Sequence, residues 1–345
     1  MQSMDRYVRN GASVLGGVLL ALAASEALAA PAYKPAGVVW LGDPARWDYV
    51  VADPRGGRVY VAHGDKVAVI DARAGKLIGN VEGVQGGSHG VAISHATGQG
   101  FTDDGRNGQA IAFDLKTLAV KKRIPAADDA DAIASDPVTG HVFVTEGDPA
   151  AITVVDPRTD GVVATIKVGE KMEYAVGGDG AVFLAGVAKR DLIKVDPKSN
   201  TVVARWSTPD CEAPHGLAID AHAHRAFMGC ENSKMMVVDT RSGKVVTELA
   251  IGRGNDAVAF DPKRSRVFAA NGRDGTVSVY QEVGPTVYRA LPDIKTAVSG
   301  RTLAVDTTTG RLFVPVADLD PKSPSGQRPA IIPGSVRTLM FDPAK

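Results

Sequence analysis

DPRGGRVYVAH, residues 53–63, runs from an Asp-Pro turn into a short apolar strand with an aromatic at its centre. The chain writes this pattern seven times. It returns as SHATGQGFTDD from Ser94, DPVTGHVFVTE from Asp136 and GGDGAVFLAG from Gly177. It continues as DAHAHRAFMGC from Asp220, DPKRSRVFAAN from Asp261 and DTTTGRLFVPV from Asp306. The starts step by 41, 42, 41, 43, 41 and 45 residues. Between them lies a second series, VIDARAGK, AFDLKT, VVDPRTDG, KVDPKSN and VVDTRSGK, whose aspartates are Asp71, Asp114, Asp156, Asp196 and Asp239. Each stands where an apolar strand meets a turn, a place where an Asp side chain caps backbone N–H groups and a following Pro presets φ. These aspartates read as structural.

Each unit therefore holds four short strands, A to D, and no helical period interrupts them. Four strands every 40–45 residues is the signature of a β-propeller blade. The fold expected is all-β, a seven-bladed propeller of four-stranded blades. The seventh unit has strands at 302–306, 311–316 and 336–341 but lacks a fourth. GVVWLG, residues 37–42, aligns with the fourth-strand segment TELAIG, residues 247–252, so the N-terminal strand is expected to close the last blade. DLDPKSPSGQRP, residues 318–329, is a polar, Pro-rich loop insertion in blade 7.

The first 29 residues read differently. Arg6 and Arg9 precede an apolar run from Ala12 to Ala24, and Ala27-Leu28-Ala29 is a small-x-small cleavage site. This is the pattern of a secretory signal peptide, and no segment reaches the roughly 18–20 apolar residues of a membrane span. Residues 30–345 would be the mature propeller, periplasmic or secreted. Its two cysteines, Cys211 and Cys230, read as a disulfide in an oxidising compartment. Without a C-x-x-C-H motif, covalent haem is excluded. Removing residues 1–29 takes away two acidic and two basic residues from 39 of each, leaving net charge zero. Phosphate neutralisation calls for a basic excess, so nucleic acid is not an expected partner. A monomer is expected.

The chain resembles the YncE-like, YVTN-repeat propeller family of exported bacterial proteins. The resemblance is carried by VYVAHGDKVAVIDARAGK (59–76), HGVAIS (89–94), GCEN (229–232), IGRGNDAVAFDP (251–262) and SGRTLAVDTTTGRLFVP (299–315). It implies the fold and export, and no single activity. Family members read Pro-Asp and Pro-Glu where this chain has Ala130-Asp131 and Met172-Glu173, and a small polar residue where it has His215.

Five residues before each turn stands an ionisable side chain: Asp48, His89, Asp131, Glu173, His215, Asp256 and Arg301, with Glu173 placed by aligning MEYAVG with ADAIAS. Strand A is innermost in a blade, so seven equivalent positions at its start define a ring at one mouth of the central channel. Four carboxylates, two imidazoles and one guanidinium there suit a small ligand or a divalent metal ion, with His89, His215, Asp131 and Glu173 as candidate metal ligands. The alternative for the same carboxylates is structural, as acceptors for backbone N–H groups of the next blade. Residues after the strand B aromatic (His63, Asp104, Glu146, Gly186, Cys230, Asn271) are expected as an outer polar set on that face. The resulting expectation is a binding module rather than an enzyme. A metal-dependent hydrolase, lactonase or lyase using the ring is the first alternative, and a protein-interaction scaffold the second.

Overall fold

A computed structural model describes residues 31–324 and 329–344. The signal-peptide expectation for residues 1–29 lies outside the described residues, as do 325–328 of the insertion. The described chain forms seven four-stranded antiparallel sheets, six of them built from consecutive strands. The seventh has the order Tyr33–Trp40, Arg337–Pro343, Arg311–Val316, Ala304–Asp306. The N-terminal segment thus supplies the outer strand of the last blade. Its pairing runs from Tyr33 opposite Pro343 to Trp40 opposite Arg337, longer at its start than the apolar residues of GVVWLG imply. An edge strand needs only backbone partners, so Tyr33, Lys34 and Pro35 join the ladder too, with a register shift between Pro35 and Gly37. The innermost strand of blade 7 is shorter than expected, starting at Ala304.

The strand B aromatics hold the blades together. Tyr60, Phe101, Phe143, Phe183, Phe227, Phe268 and Phe313 are all 0% exposed. Each apolar cluster spans neighbouring blades; one joins Val39, Phe313 and Met340 of blade 7 to Val59 and Ile70 of blade 1. A blade buries its faces only against its neighbours, so closure by residues 33–40 is a condition of stability.

The turn aspartates act as the sequence implies. Asp71 Oδ1 accepts the N–H groups of Arg73 and Ala74 at 2.9 and 2.7 Å, and Asp239 Oδ1 those of Arg241 and Ser242 at 3.1 and 2.8 Å. On this turn face His224 is half-buried, with Nδ1 2.9 Å from both oxygens of Asp179 in the preceding blade.

The expected outer polar set is buried: His63, Asp104, Cys230 and Asn271 are 0% exposed and Glu146 1%. Several of these groups anchor the loop that enters strand A of the same blade. Asp104 Oδ1 accepts Gly86 N–H, and Glu146 Oε1 accepts Ala127 N–H at 2.8 Å. In blade 5 the same role falls to a covalent bond, the Cys211–Cys230 disulfide across 19 residues. In blade 4 the loop supplies the acid: Glu170 Oε2 accepts Lys189 N–H at 2.9 Å, and Gly186 leaves room for two acids, since a Cβ there would lie 2.1 Å from Asp191 Oδ1 and 3.1 Å from the Glu170 carboxyl carbon.

Candidate functional site

Strand A leaves regular pairing where the ring residues sit. Its register shifts between Ala130 and Ala132, Met172 and Ala175, Pro214 and Leu217, and Asn255 and Ala257. Asp131, Glu173, His215 and Asp256 are the bulged residues. A bulge adds a residue to one strand and re-aims its side chain, which is how these four come to face the channel mouth. Asp48 and His89 lie just before their strands, Val50–Asp53 and Val91–Ser94. Below the ring two tyrosines meet. Tyr49 and Tyr174, each one residue past a ring acid, meet edge-to-face with centroids 4.6 Å apart, and the Tyr49 hydroxyl donates to the Glu173 carbonyl at 3.4 Å.

The ring divides into pairs. Arg301 lies between Asp256 and Asp48, donating to Asp256 Oδ2 through Nη1 and to the Trp47 carbonyl through Nη2 at 2.9 Å, with Asp48 Oδ2 3.6 Å away. Desolvation opposes the guanidinium charge, but Asp48 and Asp256 outweigh it and raise its pKa. Burial lifts the Asp48 carboxyl to about 6 despite Arg301.

Asp131 is 3.4 Å from Lys171 Nζ, and burial raises its pKa against the pull of His89 and Lys171. His89 faces away from the acids at the centre. Its Nδ1 lies 2.6 Å from Asp103 Oδ2, and Asp103, fully buried, also accepts the N–H groups of His89 and Gly90 at 2.9 and 2.8 Å. Desolvation disfavours the imidazolium, but Asp103, Asp48 and Asp131 prevail and raise His89 to about 9. The Arg46 guanidinium, 2.9 Å from Nε2, hydrogen-bonds there only when Nε2 carries no proton. Ser88 is not its partner; the Ser88 hydroxyl bonds Thr102 at 2.7 Å.

The remaining three residues converge. His215 Nδ1 donates to the Ala213 carbonyl at 2.6 Å, which fixes the tautomer and leaves Nε2 free, 3.7 Å from Glu173 Oε1. Ligating atoms of Glu173, His215 and Asp256 all lie within 4.8 Å of one another. Burial raises the Glu173 pKa, with Asp131 adding to it and His215 opposing. Two of the four expected metal ligands, Glu173 and His215, are therefore brought together with Asp256. His89 and Asp131 stand apart from this group with Asp103 and Lys171.

The trio floors a cavity of 720 Å³ lined also by Trp47, Arg301, Glu231, Arg273, Val298, Leu319, Pro329 and Ile331. Leu319 comes from the blade 7 insertion and Ile331 from the segment directly after it, and the two arms pair as Asp320 N–H to Ala330 at 2.8 Å and Ile332 N–H to Asp318 at 2.9 Å. Reading the sequence assigned this insertion no role, because it carries neither repeat nor motif. Asp103 was also missed, although a signal exists: the other six blades place Ala62, Thr145, Ala185, Gly229, Ala270 and Pro315 at its position.

No helix among the described residues is long and apolar enough to cross a membrane. No family model matches the chain. It is 25% identical over 257 residues to the YncE proteins of Salmonella typhimurium and Salmonella typhi, a match covering 70% of this chain and 72% of each relative. Among solved structures it resembles the RRP9 WD40 repeats (TM-score 0.75, 13% identity, 90% of this chain and 99% of that one). It also resembles a chain of Kuenenia stuttgartiensis hydrazine synthase (TM-score 0.69, 14% identity, 79% and 93% covered). At such identities these likenesses speak of fold alone. Fold, repeat and sequence similarity together make this chain a YncE-like seven-bladed β-propeller.

Proposed function

We propose that the protein is an exported binding module whose mouth cavity holds a divalent transition metal through His215 Nε2 and the carboxylates of Glu173 and Asp256. The observation that carries this reading is the His215 tautomer. A ligating imidazole is ordinarily oriented by a hydrogen bond from its other nitrogen, and His215 Nδ1 is so bound while Nε2 faces Glu173 at 3.7 Å. Arg301 occupies one Asp256 oxygen and leaves the other. One imidazole with two carboxylates suits zinc, manganese or nickel, whereas calcium takes oxygen ligands. Export is supported by the signal-like segment at 1–29 and by the disulfide.

The enzymatic alternative needs a carboxylate with a raised pKa beside a metal-bound water. Asp48 and Glu173 both have raised pKa values, but Asp48 does not line the cavity, and Glu173 lines it as one of the metal's own ligands, not as a free base beside a bound water. Binding is therefore the better reading. The test is isothermal titration of EDTA-treated protein with zinc and with calcium. Zinc should bind with one-to-one stoichiometry, calcium should not, and H215A should abolish the zinc signal. Zinc binding that H215A leaves intact overturns the reading.

A further inference from the structure

The cavity is much larger than a metal ion requires. At roughly 30 Å³ per water, an ion with six waters fills about 200 Å³, and the cavity holds 720 Å³. That is the size of a pocket for an organic ligand, roughly 300–1,000 Å³. Its lining is also divided in kind. The trio supplies nitrogen and oxygen donors, while Val298, Leu319, Pro329 and Ile331 supply apolar surface. An apolar wall contributes nothing to a hydrated ion. Three protein ligands, moreover, leave at least one coordination position open on a tetrahedral metal and more on an octahedral one.

Charge narrows the ligand further. Glu173, Glu231 and Asp256 give the lining three negative charges, Arg273 and Arg301 two positive ones, and His215 ligates as the neutral imidazole. Among the described residues the lining is negative by one. A divalent ion makes it positive by one, and a ligand carrying a single negative charge brings it to neutrality.

We infer that this cavity receives the metal together with a monoanionic, bidentate organic chelator, whose donor atoms fill the open coordination positions and whose apolar body packs on Leu319, Ile331 and Val298. The inference rests on the metal site proposed above and adds the class of second ligand. 8-Hydroxyquinoline is a suitable probe, since deprotonation gives a flat aromatic monoanion with adjacent nitrogen and oxygen donors. Binding is coordination alone: the hydroxyl proton leaves to solvent as the zinc–oxygen bond forms.

The experiment is zinc titration with and without one equivalent of 8-hydroxyquinoline, followed by calorimetry. The wild type should bind the zinc–quinolinolate complex at least 10-fold more tightly than zinc alone. The L319S/I331S variant should lose that gain, and H215A should lose zinc binding itself. Zinc binding with no gain from the chelator, or extraction of zinc from the protein by the chelator, overturns this inference and leaves the metal site standing. A gain that survives in L319S/I331S also overturns it. Absence of zinc binding in the wild type removes the metal site and this inference with it.

Discussion

Replacing both Cys211 and Cys230 by Ser should destabilise the propeller by about 3 kcal/mol. The bridge closes a 19-residue separation, and a loop of about 20 residues gives that figure in the chain-entropy model. Other contacts remain to hold the loop: Glu231 N–H to Glu212 at 2.8 Å and Asn232 Nδ2 to the Asp210 carbonyl at 2.9 Å. The native fold should therefore survive, and the loss should come mainly through the freed unfolded chain. For a domain of this size unfolding entropy is roughly 0.6 kcal/mol/K, so the midpoint should fall by about 5 °C. His215 stands four residues past Cys211, at the start of the strand that the bridged loop enters. Zinc affinity should fall about 10-fold in the same variant, because the imidazole loses part of its preorganisation. Urea unfolding followed by circular dichroism measures the first quantity and zinc calorimetry the second. Unchanged stability would refute the idea that this bridge anchors the loop as Asp104 and Glu146 do in their blades.

Three further outcomes follow from the ring. The folded pKa of His89, about 9, lies above its ordinary 6.5, so its stabilisation is complete below pH 6.5 and is lost as pH rises through 9. About 3 kcal/mol should disappear over that window in urea titrations of the wild type, and H89Q should flatten the profile; equal slopes in the two proteins would contradict this. R301M leaves the half-buried carboxylates of Asp48 and Asp256 without their cation and should cost up to about 3 kcal/mol, the low end for breaking a buried pair. R301K should recover only part of it, because an ammonium cannot reach both acids and the Trp47 carbonyl as the fork does; an R301M protein as stable as the wild type would refute the bridging role. G216A places a Cβ 2.5 Å from the backbone of Ala257, directly after His215, and should cost about 1–3 kcal/mol in thermal unfolding while weakening zinc binding; wild-type behaviour in both assays would show that the bulge can relax.

The fold was legible because a propeller repeats its instructions. Seven turn-aromatic units, five of them opening on Asp, fix strand B and the turn face, and the incomplete seventh unit points to the N-terminal strand as its complement. The ring was legible for the same reason, since equivalent positions in a closed ring share one circle. Which ring members cooperate was not legible. That depends on partners outside the repeat: Asp103 draws His89 aside, Lys171 holds Asp131, and Arg301 joins Asp256 to Asp48. The cavity's apolar wall was hidden too, because Leu319 and Ile331 sit in and just after an aperiodic insertion whose place over the mouth is set by tertiary packing. Strand bulges are likewise silent in sequence here, although they aim Glu173, His215 and Asp256 at the cavity.

The most direct test of the metal site is anomalous diffraction at the zinc edge from crystals of the EDTA-treated protein soaked in a zinc salt. The account predicts a peak about 2.0–2.2 Å from His215 Nε2 and from carboxylate oxygens of Glu173 and Asp256. Density free of any such peak at the trio, with zinc bound only elsewhere or not at all, would contradict it.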